Sequence, residues 1–261
     1  MGKIVFIYDH AYPEIWRDGL WAALELLKQD FDVEKFNLRT DTLLPEADFY
    51  LGWGAFGSPV TEYMKGINEK KGICIGGVPL PDIDDRFDVY FYETEWYGKQ
   101  LRAENKIHAF GVNTNIYKPI PTEKIYDCIT VGAFSLWKRL PMIANRGGVR
   151  LAVGEIQKGN KKESYEIIAE LLESGVGVMD MVEPEKLALL YNSSKEVYIP
   201  STVFGGGERA VLEARACGVP VSIAKDNDKL TELLRSEVYN ENYYYNQLKK
   251  GICQLLEKKE Y

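Results

Sequence analysis

The sequence predicts an α/β protein made of two Rossmann-like domains in series, with a cleft between the halves. Three observations carry this. Short β-branched and aromatic runs alternate with helical periodicities along the chain. A proline-bearing break, Tyr117-Lys-Pro-Ile-Pro-Thr122, interrupts the alternation. Beyond it, a glycine loop joins a buried strand to a helix.

The elements follow in order. Lys3 to Tyr8 reads as a buried strand. Trp16, Leu20, Ala23, Leu24 and Leu27 recur at helical spacing. Strands are predicted at Phe31–Phe36, Phe49–Trp53, Gly72–Gly76 and Val89–Tyr92, with a helix over Ser58–Glu69. The two prolines of the break disfavour helix and central strand. Asp127–Phe134 starts a new series of strands with Val149–Val153, Val176–Met179, Glu196–Ile199 and Val219–Ile223. Helices fall between and after them at Lys162–Ser174, Glu185–Ser193, Glu208–Cys217, Leu230–Leu234 and Asn242–Lys258. The expected domains are 1–117, 123–240, and a tail helix in 241–261 that returns to the first domain.

Composition narrows the function. A net charge of −7 argues against nucleic acid or anionic membrane as a bulk electrostatic partner. With only His10 and His108 for imidazole ligands and no CxxC pair among Cys74, Cys128, Cys217 and Cys253, no metal site is expected. The run Asp82, Asp84, Asp85 is not a convincing ligand set. Apolar surroundings make Cys74, Cys128 and Cys217 buried free thiols, which fits a cytoplasmic location. No window reaches the length of a transmembrane segment, and the N-terminal apolar run is too short for a signal peptide.

The most informative stretch is Tyr198 to Ser222. Gly205, Gly206 and Gly207 lack side chains, so their N–H groups can approach a ligand closely. The helix start behind them offers unpaired donors and partial positive charge, which suits a phosphate. Arg209 lies in the first helical turn, where a cation opposes the dipole. It either meets an anionic ligand or pairs with Glu213 one turn on. Glu208 and Glu213 fall roughly 140° apart on a helix, so both touch one ligand only if Glu208 is still in the loop. Otherwise Glu208 is a helix-start carboxylate.

These residues resemble a known signature. Ile199-Pro-Ser, Leu212-Glu-Ala and Ala216-Cys-Gly-Val-Pro-Val221 look like the donor-binding segment of retaining GT-B glycosyltransferases, the family 4-like group. Phe110-Gly-Val-Asn-Thr-Asn-Ile-Tyr-Lys-Pro119 resembles the segment that closes that family's first domain. Ile129-Thr-Val-Gly-Ala-Phe-Ser-Leu-Trp-Lys-Arg139 resembles the start of its donor domain, and Val182 to Tyr191 the helix after its base-binding loop. The resemblance implies a metal-independent enzyme without a cofactor, moving a hexose from a UDP- or GDP-linked nucleotide-sugar to a glycan, lipid or protein hydroxyl with retention. It implies that Glu213 holds the ribose, that Lys138 neutralises the diphosphate, and that Gly205 to Gly207 present amides to diphosphate and sugar. It places Gly132 in the donor loop and Val182 at the base. The pattern departs in two places. Gly205 stands where the family has its first glutamate, so either Glu208 substitutes through a shifted loop or the sugar contact is lost. Ala133 stands where it has an arginine, leaving Lys138, Arg139 and Arg209 to supply charge.

The first half matches the family less well. Asp9 and His10 end the first strand and read either as acceptor or proton-handling groups or as a turn that caps backbone N–H groups. Trp53 to Gly57 could wall an acceptor site or belong to the core. Glu93, Glu95, Trp96 and Tyr97 suit sugar recognition but read more readily as solvated surface, and His108 reads as structural. Tyr243 to Tyr245 are expected to pack against the first domain. A nucleotide-sugar epimerase, a phosphorylase and a non-catalytic nucleotide-sugar binding protein remain as alternatives.

Overall fold

The computed structural model describes residues 2–11, 17–77 and 86–257. The chain divides into two compact units, Met1–Gly111 with Tyr239–Tyr261, and Val112–Val238. Trp16, Asp82, Asp84, Asp85 and the end of the tail segment lie outside the described residues.

The first unit is a six-stranded parallel sheet: β1 (Lys3–Tyr8), β2 (Asp32–Asn37), β3 (Phe49–Gly54), β4 (Lys71–Ile75), β5 (Val89–Tyr92) and β6 (Lys106–His108), in the order β2-β1-β3-β4-β5-β6. Strands β4 and β5 are buried throughout and β1 and β3 nearly so, which explains their continuous apolar runs. Helix α1 (Gly19–Leu27) is capped by Asp18 and buries Leu20, Ala23, Leu24 and Leu27.

Helix α2 (Pro59–Met64) is shorter than the predicted Ser58–Glu69. Ser58 caps its start, and the buried Lys71 Nζ donates to Met64 O and Ile67 O at its end. A cation at the negative end of the dipole closes the helix early. Helix α3 (Glu95–Gln100) and β6 were not anticipated. Both are too short to show a period, and Lys106 Nζ closes α3 in the same way through Gly98 O and Leu101 O.

The second unit is a five-stranded parallel sheet: β7 (Tyr126–Val131), β8 (Arg150–Gly154), β9 (Gly177–Asp180), β10 (Ser194–Ile199) and β11 (Val221–Ile223), in the order β11-β10-β7-β8-β9. Its helices are α4 (Lys161–Glu173), α5 (Pro184–Asn192), α6 (Glu208–Ala216) and α7 (Asp228–Arg235). Two 3-10 turns, Leu136–Lys138 and Leu140–Asn145, take the place of a helix after β7. A core on the β7–β8 side joins Cys128, Phe134, Leu140, Ile143, Ala152, Ile167, Leu171 and Tyr198.

The first unit ends at Gly111, not at residue 117. The reason is local: Tyr117 packs on Tyr191, and Asn192 bonds Ile120 N and Lys118 O, so the proline segment belongs to the second unit. The last helix, α8 (Glu241–Leu256), packs in the first unit on α1. Tyr245 Oη and Lys249 Nζ both donate to Asp30, and Gly251 admits the ring of Phe91. Tyr244 is buried and Tyr243 Oη lies 2.8 Å from His108 Nδ1. His108 sits among Tyr92, Tyr239 and Tyr243, a structural setting. Among the described residues no helix is long and apolar enough to cross a membrane.

Candidate functional site

Strand β7 pairs with β8 on one side and β10 on the other. The chain builds outward through β8 and β9, then returns to add β10 and β11 on the opposite flank. The carboxyl ends of β7 and β10 are therefore the topological switch point, the place where ligands bind in such sheets.

Two loops leave that point, residues 132–139 after β7 and 200–207 after β10, and they are tied together. Thr202 N–H donates to Trp137 O at 2.9 Å. Arg139 Nε donates to Pro200 O at 2.7 Å, and its two terminal nitrogens bond both oxygens of Asp226 at 2.8 and 2.7 Å. From behind, Asn227 Nδ2 donates to Ser201 O and Thr202 O at 2.9 and 3.0 Å, while its Oδ1 caps α7. Gly205 N–H closes a turn onto Thr202 O at 2.9 Å. A Cβ on Gly205 would overlap Trp137 O, so only glycine lets the two loops meet.

Gly206 has φ +70° and Gly207 φ +113°, conformations that glycine adopts without strain. Among the described residues neither Gly206 N–H nor Gly207 N–H has a hydrogen-bond acceptor. They stand at the start of α6, where the helix dipole favours an anion. Lys138 Nζ lies 3.3 Å from where a Cβ on Gly206 would be, and Glu208 Oε2 is equally near. Ser201 Oγ and Thr202 Oγ1 are buried at the same loop with no partner among the described residues. Gly132 begins the other loop, and Gly154 leaves room for its carbonyl, which any Cβ there would overlap.

The structure thus brings Gly132, Lys138, Gly205, Gly206, Gly207 and Glu208 to one place. Glu208 opens α6, as in the predicted Glu208–Cys217 helix, so it is the helix-start carboxylate and not a loop residue; it is only 4% exposed and bonds Lys229 Nζ at 2.6 Å. The glycine at 207 caps the helix and leaves Glu208 inside it. Arg139, expected to add charge for a diphosphate, is instead committed to Asp226 and Pro200, its left-handed backbone (φ +50°) turning it that way.

Each of the other predicted residues has its own setting. Arg209 is exposed in the first turn of α6. Glu213 is buried at 9% exposure and accepts a bond from Tyr191 Oη at 3.1 Å. Burial, with the Glu213 carboxylate beside it, holds the Tyr191 phenol well above its ordinary range. Val182 is half-buried in the loop between β9 and α5. In the first unit, Asp9 and His10 follow β1, whose neighbours β2 and β3 make its carboxyl end that sheet's own switch point. Asp9 pairs with Arg39, and the His10 backbone is latched to the Asn37 side chain.

Sequence reasoning missed Asp226, Asn227, Lys229 and the bond made by Tyr191. Asn227 carried a readable signal, a cap residue just before an apolar run. Lys229 carried none, since a lysine in a first helical turn reads as solvated.

Two doubly wound parallel α/β units in one chain, the second with a glycine loop at its switch point, define the GT-B fold. Solved structures of that fold match the chain over nearly its whole length. Anabaena HepE, solved in complex with UDP-glucose, matches at 12% identity and TM-score 0.69, covering 98% of this chain and all of that one. Sucrose-phosphate synthase from Thermosynechococcus elongatus matches at 14% identity and TM-score 0.64, covering 99% and 92%. AviGT4, a glycosyltransferase involved in avilamycin A biosynthesis, matches at 14% identity and TM-score 0.63, covering 98% and 93%. No protein-family model and no curated protein sequence matches the chain.

Proposed function

We propose that the chain is a glycosyltransferase that moves a hexose from a UDP- or GDP-sugar to an acceptor hydroxyl with retention of anomeric configuration. One observation carries the reading: the unpaired amides of Gly206 and Gly207, with Lys138 Nζ beside them, at the switch point of the second sheet. Departure of a nucleoside diphosphate places negative charge there, and fixed donors aimed at developing charge are the largest usual catalytic term. That HepE was crystallised with UDP-glucose on the same fold supports a nucleotide-sugar as ligand.

Lys138 and the two amides would stabilise the leaving diphosphate. Glu213, steadied by Tyr191, would accept hydrogen bonds from the ribose, and backbone groups at Val182 would meet the base. The donor phosphate would take the acceptor proton, so neither a protein nucleophile nor a metal is required. Arg209 would meet the phosphates from the exposed side of α6. Asp9 and His10, at the first sheet's switch point, are the acceptor-side candidates for a glycan, lipid or protein hydroxyl. The free cysteines fit action in the cytoplasm.

A second reading, a nucleotide-sugar binding protein without turnover, is favoured by Gly205 in the place of a carboxylate and by Glu208 being locked onto Lys229. A thermal-shift panel of UDP, GDP, ADP and TDP tests the shared claim. Ligand at about 100 times its dissociation constant adds roughly 2.7 kcal/mol to the folded state. No shift with any of the four would refute nucleotide binding. A shift with no release of nucleoside diphosphate from the matching sugar donor would select the second reading.

A further inference from the structure

The first turn of α7 lies behind the glycine loop and carries a second device besides Asn227. The Lys229 side chain has 0% exposure, and its Nζ bonds Glu208 Oε1 at 2.6 Å, with the Glu208 side chain only 5% exposed. Removing both charges from water is costly, and an apolar pair of similar volume would generally serve stability as well or better. Stability alone therefore gives no reason for this pair.

Its position gives one. Glu208 opens α6, and its other oxygen, Oε2, lies beside Gly206 on the side where Lys138 Nζ also stands. A carboxylate there, uncompensated, would repel an anion arriving at the Gly206 and Gly207 amides. At the effective dielectric near a protein surface, a like charge a few ångströms away opposes binding appreciably. With Lys229 in place, its ammonium offsets the Glu208 carboxylate beside Gly206.

We propose that Lys229 is a positioning residue of the pyrophosphate site, which neutralises Glu208 beside the phosphate-binding amides. This rests on the donor reading above. Lys229 touches no ligand; it acts through Glu208. Glu208 in turn shapes the start of α6 without serving as acid or base.

The test is calorimetric titration of wild type, Lys229→Met, Glu208→Gln and the double variant with UDP and GDP. Lys229→Met should weaken the better nucleotide about tenfold or more, because it strands the carboxylate. Glu208→Gln should bind at least as tightly as wild type, since it removes the repelling charge. The double variant, neutral at both positions, should recover to within about twofold of wild type. That rescue distinguishes charge cancellation from a packing role, which two substitutions would worsen. Should Lys229→Met fail to fold, the other two still decide. Weaker binding by Glu208→Gln, or no recovery in the double variant, would overturn the proposal. Wild type binding neither nucleotide would be a different result, removing the donor reading and this inference with it.

Discussion

Arg139 and Asp226 meet through two parallel hydrogen bonds of 2.8 and 2.7 Å, while Arg139 Nε holds the carbonyl of Pro200. One guanidinium thus ties the loop after β7, the loop after β10 and the approach to α7. Its work is geometric: it holds the loop that carries Gly206 and Gly207. Arg139→Ala should leave the fold intact, because pairs this exposed add little to stability. It should weaken nucleoside diphosphate binding roughly fivefold by returning the ordering cost to the binding step. Unchanged affinity in a titration would show that the loops hold without it.

The same tie has a pH sense. The Arg139 guanidinium beside Asp226 holds its carboxyl below the usual carboxylate range. A depressed folded value means the contribution is present above the unfolded pKa and is lost as pH falls through the folded one. Diphosphate affinity should therefore keep this pair's contribution at neutral pH and lose it only below about pH 4. Asp226→Asn should abolish that acid step in an affinity profile. An acid step that persists in the variant would assign it to another group.

The three glycines should respond differently to alanine. At Gly205 a Cβ overlaps Trp137 O, so the loops must part; a loss of about 2–3 kcal/mol is expected in denaturant unfolding. At Gly207 the added carbon stands 2.8 Å from Ile199 Cγ2 with φ +113°, again a stability defect. At Gly206 the nearest atoms are the ends of two flexible side chains, Glu208 Oε2 and Lys138 Nζ, both 3.3 Å away. Gly206→Ala should therefore cost only about 1 kcal/mol for its left-handed backbone while reducing diphosphate affinity far more. Equal losses of stability and affinity at all three positions would contradict the assignment of Gly206 to the ligand face.

That contrast also marks where the sequence was legible. Fully buried parallel strands such as Ile4–Tyr8 and Val89–Tyr92 announce themselves as apolar runs, and alternation with helices fixes the two-sheet plan. Gly205 to Gly207 were visible because three successive glycines at a strand-to-helix joint bare the backbone just where the dipole favours an anion. What stayed hidden depends on long-range partners. Arg139 and Lys138 are adjacent cations in the sequence, yet one is turned by a positive φ onto Asp226 and the other lies beside Gly206. Nothing local separates them. Lys229 looked solvated because its partner, Glu208, is reached only through the fold. The shortness of α2 was equally nonlocal, set by Lys71 capping Met64 and Ile67 from the neighbouring strand.

Tyr191 gives a test of the ribose assignment. Its hydroxyl donates to Glu213 Oε2 inside a fully buried contact. Tyr191→Phe keeps the ring and its packing on Tyr117 but removes the donor, so a loss of about 1–3 kcal/mol is expected. If Glu213 holds the ribose, the variant should also lose affinity for UDP or GDP while inorganic pyrophosphate is bound as before. Glu213→Ala should do the same more strongly. Parallel loss of pyrophosphate binding would mean that Glu213 supports the loop and not the sugar.

The thiols report on both units at once. Burial pushes Cys128 up to about 11 and Cys217 up to about 12, and raises Cys74 further still. Cys253, on α8, is raised too but is only half-buried. Thiol reagents attack the thiolate, so the three buried groups are protected twice, by access and by protonation. In the native protein Cys253 should react first, and Cys74, Cys128 and Cys217 only on unfolding. The linkage has a definite sign: a raised folded pKa gives stability that is complete below the unfolded value and lost as pH climbs toward the folded one. Denaturant midpoints should therefore hold up to about pH 8.5, the unfolded thiol value, and decline above it. Replacing Cys128 and Cys217 by alanine would lower the midpoint at every pH through the cavities left behind, yet flatten that alkaline decline. A decline of undiminished slope in the double variant would move its origin to other groups, the buried phenols of Tyr191 and Tyr244 first among them, since burial raises both well above the tyrosine range.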